Sequence, residues 1–97
     1  MTITKIEDGK TEELCLEGWL DTRSAPELAA VLDEMAPDIE YLILDMAKTE
    51  YISSAGIRQI VVAYKQMHGN LTLKHVPPEV MKVLNMSGVS KKIHIEE

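Results

Sequence analysis

The chain has 97 residues, a formal net charge of −6, one cysteine, and a hydrophobic fraction of 45% of which little is aromatic. Such a length suits one domain, residues 1–97, with a single modest core, and without Phe that core must be built from Ile, Leu, Val and the six Met. The acidic balance argues against a nucleic-acid backbone as partner, and Cys15 alone cannot form an intramolecular disulfide. No signal pattern opens the chain and no apolar run approaches the ~20 residues of a membrane span, so it reads as soluble, cytoplasmic and without a membrane partner.

Taken in order, Ile3 to Ile6 predicts a strand, Asp8-Gly9 a hairpin turn, and the alternation from Glu12 to Glu17 a second strand. In that strand Cys15 falls on the face opposite Leu14 and Leu16, as a structural thiol rather than a nucleophile. Gly18 is expected to end the strand, with WLDTRSAPE as a loop into a helix that Ser24 and Glu27 would open as a capping box. Leu28, Val31, Leu32 and Met35 recur at helical spacing, and Pro37 lies just past the end.

The run Tyr41 to Met46 predicts a central strand buried on both faces. Directly after it, YISSAGIRQIVVAYKQ leads into a second helix whose stripe is Ile57, Ile60, Val61, Tyr64 and Met67, with Gly69 at its C-cap. Leu71 to Val76 alternates again, Pro77-Pro78 opens a short helix that Gly88 ends, and Lys92 to Glu96 forms the last strand. The order is ββαβαβαβ. Strand–helix–strand repeats with right-handed crossovers imply an α/β fold with a mixed, mostly parallel sheet of four to five strands and helices mainly on one face.

In such a fold, ligands and partners meet the chain where strands hand over to helices. Asp21, Asp45 and the pair Ser53-Ser54 are expected together on one rim. A serine there can cap the helix, worth about 0.5–2 kcal/mol. It can also be a chemical target, because a phosphoryl group adds about −1.5 to −2 charges at the end of a helix that tolerates an anion, altering recognition and not the fold. Gly56 would leave room for another backbone or for a partner. The unevenness of charge, −9 over residues 1–57 and +3 over 58–97, reflects solvated faces first and an acidic patch steering a basic partner second. His68, His75, His94 and Cys15 lack metal-ligand spacing, SSAG lacks the G-x-S-x-G frame, and no phosphate loop or dinucleotide fingerprint occurs. Trp19 is either an exposed anchor for a partner or a cover over the sheet edge.

The segments GWLDTRSAPEL, YLILDM and YISSAGIR, in this order and spacing and with the elements around them, resemble the STAS domain family, and more narrowly the bacterial anti-anti-sigma factors. The resemblance, which covers nearly the whole chain, implies a protein that performs no catalysis and holds no cofactor or metal. It would bind an anti-sigma factor that is also a serine kinase, displace a sigma factor, be phosphorylated on one serine and be restored by a serine phosphatase. Set on the frame of Gly56 and Ile57, the acceptor falls on Ser54, with Ser53 as runner-up. The matching positions imply a partner-binding rim of Asp21, Thr22, Asp45, Ser53, Ser54, Ala55, Gly56 and Arg58. Ser53 stands where the pattern often has aspartate. A monomer is expected, on the reasoning that no apolar face stays uncovered. The alternative is a non-phosphorylated STAS scaffold or transporter-associated regulatory subunit; a phosphohistidine carrier is disfavoured, since no histidine follows a clear helix start.

Overall fold

The structure is a computed structural model and describes residues 1–96. Its elements are β1 (Thr2–Asp8), β2 (Thr11–Leu20), α1 (Ala25–Asp33), β3 (Tyr41–Asp45), β4 (Thr49–Ile52), α2 (Ser54–Gln66), β5 (Leu71–Lys74), α3 (Pro78–Ser87), a 3-10 turn (Val89–Lys91) and β6 (His94–Glu96). The sheet runs β1-β2-β3-β5-β6, with β4 beside the upper half of β2. Only the β1–β2 hairpin is antiparallel; it closes over Gly9, whose φ of 63° is the left-handed conformation that glycine adopts without strain. All the other pairings are parallel, so the mixed, mostly parallel α/β architecture read from the sequence is the one observed.

The core follows from strand alternation meeting helical stripes. Leu14, Leu16, Leu42, Leu44 and Leu73 point from one face of the sheet into a contiguous cluster with Leu28 and Leu32 of α1, Ile60 and Ala63 of α2, and Val80 and Leu84 of α3. The buried hydrophobic residues are aliphatic throughout, as a chain without Phe requires.

Five local expectations are corrected. Gly18 does not end β2. At φ 109° it carries a register shift between Gly18 and Trp19, and the strand continues to Leu20. That extension gives β2 room for a second parallel partner besides β3, so Thr49–Ile52, expected to run straight into the helix, is the short strand β4. Where β3 stops and β4 begins, the buried Thr49 hydroxyl donates to the Leu16 carbonyl at 2.9 Å. β3 itself is buried on one face only: Leu42 and Leu44 are inside, whereas Tyr41 is 54% exposed.

The fourth correction concerns α1. Ser24 precedes the helix but does not form the capping box, because its hydroxyl is engaged backwards, accepting from the Asp21 N–H and donating to the Trp19 carbonyl. Glu27 pairs instead with the N-terminal ammonium at 3.6 Å. The fifth concerns coverage of the sheet. The face opposite the core and its rim expose Ile6, Trp19, Tyr41 and Tyr51, so the premise behind the expected monomer does not hold.

One buried charge stands out. The Glu12 side chain is wholly inaccessible, neither of its oxygens has a hydrogen-bond partner among the described residues, and its nearest cation is the Lys5 Nζ at 3.6 Å. Burial raises its pKa, with Lys5 opposing. Because the folded state holds the carboxyl above its ordinary value, the ionised form is the one folding penalises. Stability attributable to Glu12 is therefore greatest below about pH 4.5 and declines as pH rises through the raised folded-state value. Glu12→Gln should raise stability at pH 7 by on the order of 1 kcal/mol and flatten that part of the pH profile, read by urea titrations from pH 4 to 8. An unchanged profile would mean that Lys5 fully compensates the burial.

Candidate functional site

The upper corner of the sheet is made by three chain segments. β2 ends at Leu20 and turns at Asp21; β4 ends at Ile52 alongside it; and α2 starts from Ser53 and Ser54. The Ser53 N–H donates to the Leu20 carbonyl at 3.0 Å, which extends the β2–β4 pairing up to the helix start. Ser53 is extended (φ −107°, ψ 178°), as a helix cap must be, and its hydroxyl accepts from the Gly56 N–H at 3.5 Å. Ser54 is the first helical residue and exposed, and its hydroxyl has no hydrogen-bond partner among the described residues. No carboxylate occupies the first turn of α2.

Gly56 is buried, and the reason is its neighbour. A Cβ there would lie 2.5 Å from the Leu20 carbonyl oxygen, 2.8 Å from Leu20 Cγ and 2.9 Å from Ile52 Cγ1. Of the two uses expected of this glycine, the space is taken by the chain's own backbone. The missing side chain faces inward, and its effect on Ser54 is to let the helix start sit directly on the strand ends.

The other flank is the β2–α1 turn. The Asp21 carboxylate accepts from the Arg23 N–H at 3.0 Å and the Ser24 N–H at 3.2 Å, while Thr22 and Arg23 are exposed at the tip. The Ser24 N–H first, then that of Arg23, hold the Asp21 carboxyl below its ordinary value, so it stays ionised at neutral pH. Below the turn, Trp19 and Tyr51 pair across β2 and β4 with ring centroids 5.1 Å apart, exposed by 56% and 45%. A shallow hollow of about 290 Å³ lined by Trp19, Asp21, Arg23 and Ser24 adjoins them. Trp19 is thus on the exposed side of its two readings. Tyr51 was not singled out in the sequence, because only the unforeseen β4 turns it toward Trp19.

Asp45 is not at this corner. The register sets it opposite Cys15, while Ile52 lies opposite Leu20, five residues and about 16 Å further along β2. Its carboxylate accepts from the Ala47 N–H at 3.0 Å and lies 3.3 Å from His75 Nδ1. There, on the open face, Glu13, Cys15 and Asp45 bring three ligand-type atoms within 4.8 Å of one another, a grouping the sequence could not display because it spans two strands. The cluster is accounted for without an ion: Glu13 is paired with Lys74 at 3.7 Å, and burial together with the carboxylates of Asp45 and Glu13 pushes the Cys15 thiol up, away from the reactive thiolate.

A mixed sheet with one helical layer and a capped, exposed serine at a strand-to-helix corner defines a small α/β domain whose distinctive chemistry lies on a rim rather than in a cleft. The chain belongs to the STAS domain family, whose model matches residues 5–97. It is 35% identical over 78 residues, 76% of this chain and 67% of the relative, to BtrV of Bordetella bronchiseptica, a candidate anti-sigma factor antagonist. Its fold is similar to that of the anti-sigma factor antagonist SpoIIAA in its unphosphorylated form, with a TM-score of 0.82 at 17% identity over 99% of this chain and 89% of the other. The phosphorylated form of the Bacillus protein superposes with a TM-score of 0.68 at 14% identity over 99% and 92%. A sulfate transporter family protein of Wolinella succinogenes also shares the fold, with a TM-score of 0.74 at 20% identity over 94% and 80%. No helix among the described residues is long and apolar enough to cross a membrane.

Proposed function

We propose that this chain is an anti-sigma factor antagonist: it binds a serine-kinase anti-sigma factor, frees the sigma factor that the kinase held, and is switched off by phosphorylation of Ser54. The observation that carries the reading is the division of labour between two adjacent hydroxyls. Ser53 caps α2, whereas Ser54, one residue on, is exposed and uncommitted. In the transfer, the Ser54 Oγ forms a bond to the γ-phosphorus of ATP, ADP leaves, and the hydroxyl proton passes to a base of the kinase. A dianion then stands at the helix start, where oriented N–H groups tolerate it, so the fold is kept while the rim changes charge. A phosphatase restores the hydroxyl.

The docking rim comprises Asp21, Thr22, Ser53, Ser54, Ala55 and Arg58, with Gly56 setting the height of the helix and Asp45 lying lower on the sheet. The protein acts in the cytoplasm by binding, without cofactor, metal or catalysis of its own. Incubation with the partner kinase and ATP should add one phosphate to the wild type and to Ser53→Ala, and none to Ser54→Ala. Full labelling of Ser54→Ala would transfer the role to Ser53.

The fold shared with the sulfate transporter family protein supports a second reading, a non-phosphorylated STAS scaffold or transporter subunit. Stable co-purification with a transporter ATPase, together with no labelling by the kinase, would favour it.

A further inference from the structure

Ser54 and Arg58 stand four residues apart in α2, so their side chains lie on the same face of the helix, one turn apart. Both are exposed, and Arg58 forms no ion pair among the described residues. Carboxylates that could compete for it are scarce or occupied. The first turn of α2 has none, Asp21 is engaged by the backbone of its own turn, and Glu27 of α1 is paired with the N-terminus. The remaining charges on the segments around the corner are Arg23, on the β2–α1 turn, the exposed Glu50 of β4, and the exposed Glu79 and Lys82 of α3, which packs against β4. An exposed cation at this spacing, unpaired in the unmodified chain, is placed for an anion that arrives later.

We propose that Arg58 is the intramolecular partner of the phosphate on Ser54, holding it along the outer face of α2. This rests on the phosphorylation reading above. An acidic residue followed four positions on by a basic one is the favourable orientation in a helix, and a phosphate strengthens it by offering three acceptor oxygens to a planar guanidinium. The modified rim then presents a fixed anion on the outer face of the first turn of α2 instead of a swinging one. Arg58 is therefore a positioning residue for the switched-off state, with no ion-pair partner among the described residues before modification.

The test needs no kinase. Phosphoserine is incorporated at position 54 during translation, and the second ionisation of the phosphate is followed by ³¹P NMR in the wild-type background, Arg58→Gln and Arg58→Lys. The wild type should titrate lower than Arg58→Gln by about 0.3 pH unit, with Arg58→Lys between them and the difference collapsing in 1 M salt. The Arg58 Nε–H resonance should move on phosphorylation in the wild type, a change that a purely structural role would not produce. Identical midpoints in the wild type and Arg58→Gln overturn the proposal even where the kinase does label Ser54. Conversely, a kinase that ignores Ser54 leaves the titration result standing and removes only the functional reading.

Discussion

Ser54→Asp is expected to lower affinity for the partner kinase by roughly five- to thirtyfold, a loss of about 1–2 kcal/mol, with no loss of fold stability. The two halves of this expectation have different physical origins. At the first residue of a helix a carboxylate meets the positive end of the dipole, so the substitution is neutral or mildly stabilising for the chain itself, by up to about 1 kcal/mol. Nothing in the first turn repels it, since that turn holds no acid. On the outside, the same charge sits on the proposed docking rim, and an anion stripped of water without a cation opposite is costly. Ser54→Asn, which keeps polarity without charge, should retain most of the affinity. Binding can be followed by the fluorescence of Trp19, the only tryptophan, on the flank of the rim. Equal affinities for the aspartate and asparagine variants would remove charge as the switch.

Gly56→Val should destabilise the fold by about 2–3 kcal/mol, roughly 10–20 °C in melting temperature for a domain of this size. Its Cβ alone would overlap the Leu20 carbonyl oxygen at 2.5 Å, and that neighbour is backbone, held in place by the hydrogen bond it accepts from the Ser53 N–H. The helix can relieve the overlap only by lifting its first turn, which breaks that bond and carries Ser54 away from the strand ends. Gly56→Ala tests the same contact more gently, because alanine recovers up to about 1 kcal/mol of helix propensity. Calorimetry on both variants gives the result. A melting temperature for the valine variant within about 2 °C of wild type would show that α2 can pivot without cost, and the tight seating of the serine corner would have to be abandoned.

Much of the site was legible because its signals are local. The Ser-Ser-Ala-Gly stretch before an apolar stripe marks a helix start by the spacing of a few residues, and the structure has the helix beginning at Ser54 with Ser53 as its cap. What was misread depended on partners that spacing does not reveal, most of them distant in sequence. Ser24 and Glu27 have the spacing of a capping box, but the serine hydroxyl found the Trp19 carbonyl and the glutamate found the chain terminus. The brief polar–apolar segment Thr49–Ile52 carries little strand signal of its own and exists because β2 runs on past Gly18 to pair with it. The rim expected of Asp21, Asp45 and the serines lost Asp45 for the same reason, since a register between strands is invisible to a reading along the chain.

By itself, then, the amino-acid order determined the helices, the hairpin, the aliphatic character of the core and the hydroxyl pair at the head of α2, because periodicity and turn chemistry act over a few residues at a time. The three-dimensional arrangement alone decided that β4 extends the sheet, that Trp19 meets Tyr51, that Gly56 yields its space to Leu20 and that Asp45 sits among Glu13, Cys15 and His75. Each of these is a contact between segments brought together by parallel pairing, and parallel pairing is set by how whole crossovers pack onto one face of the sheet, a property of the assembled chain.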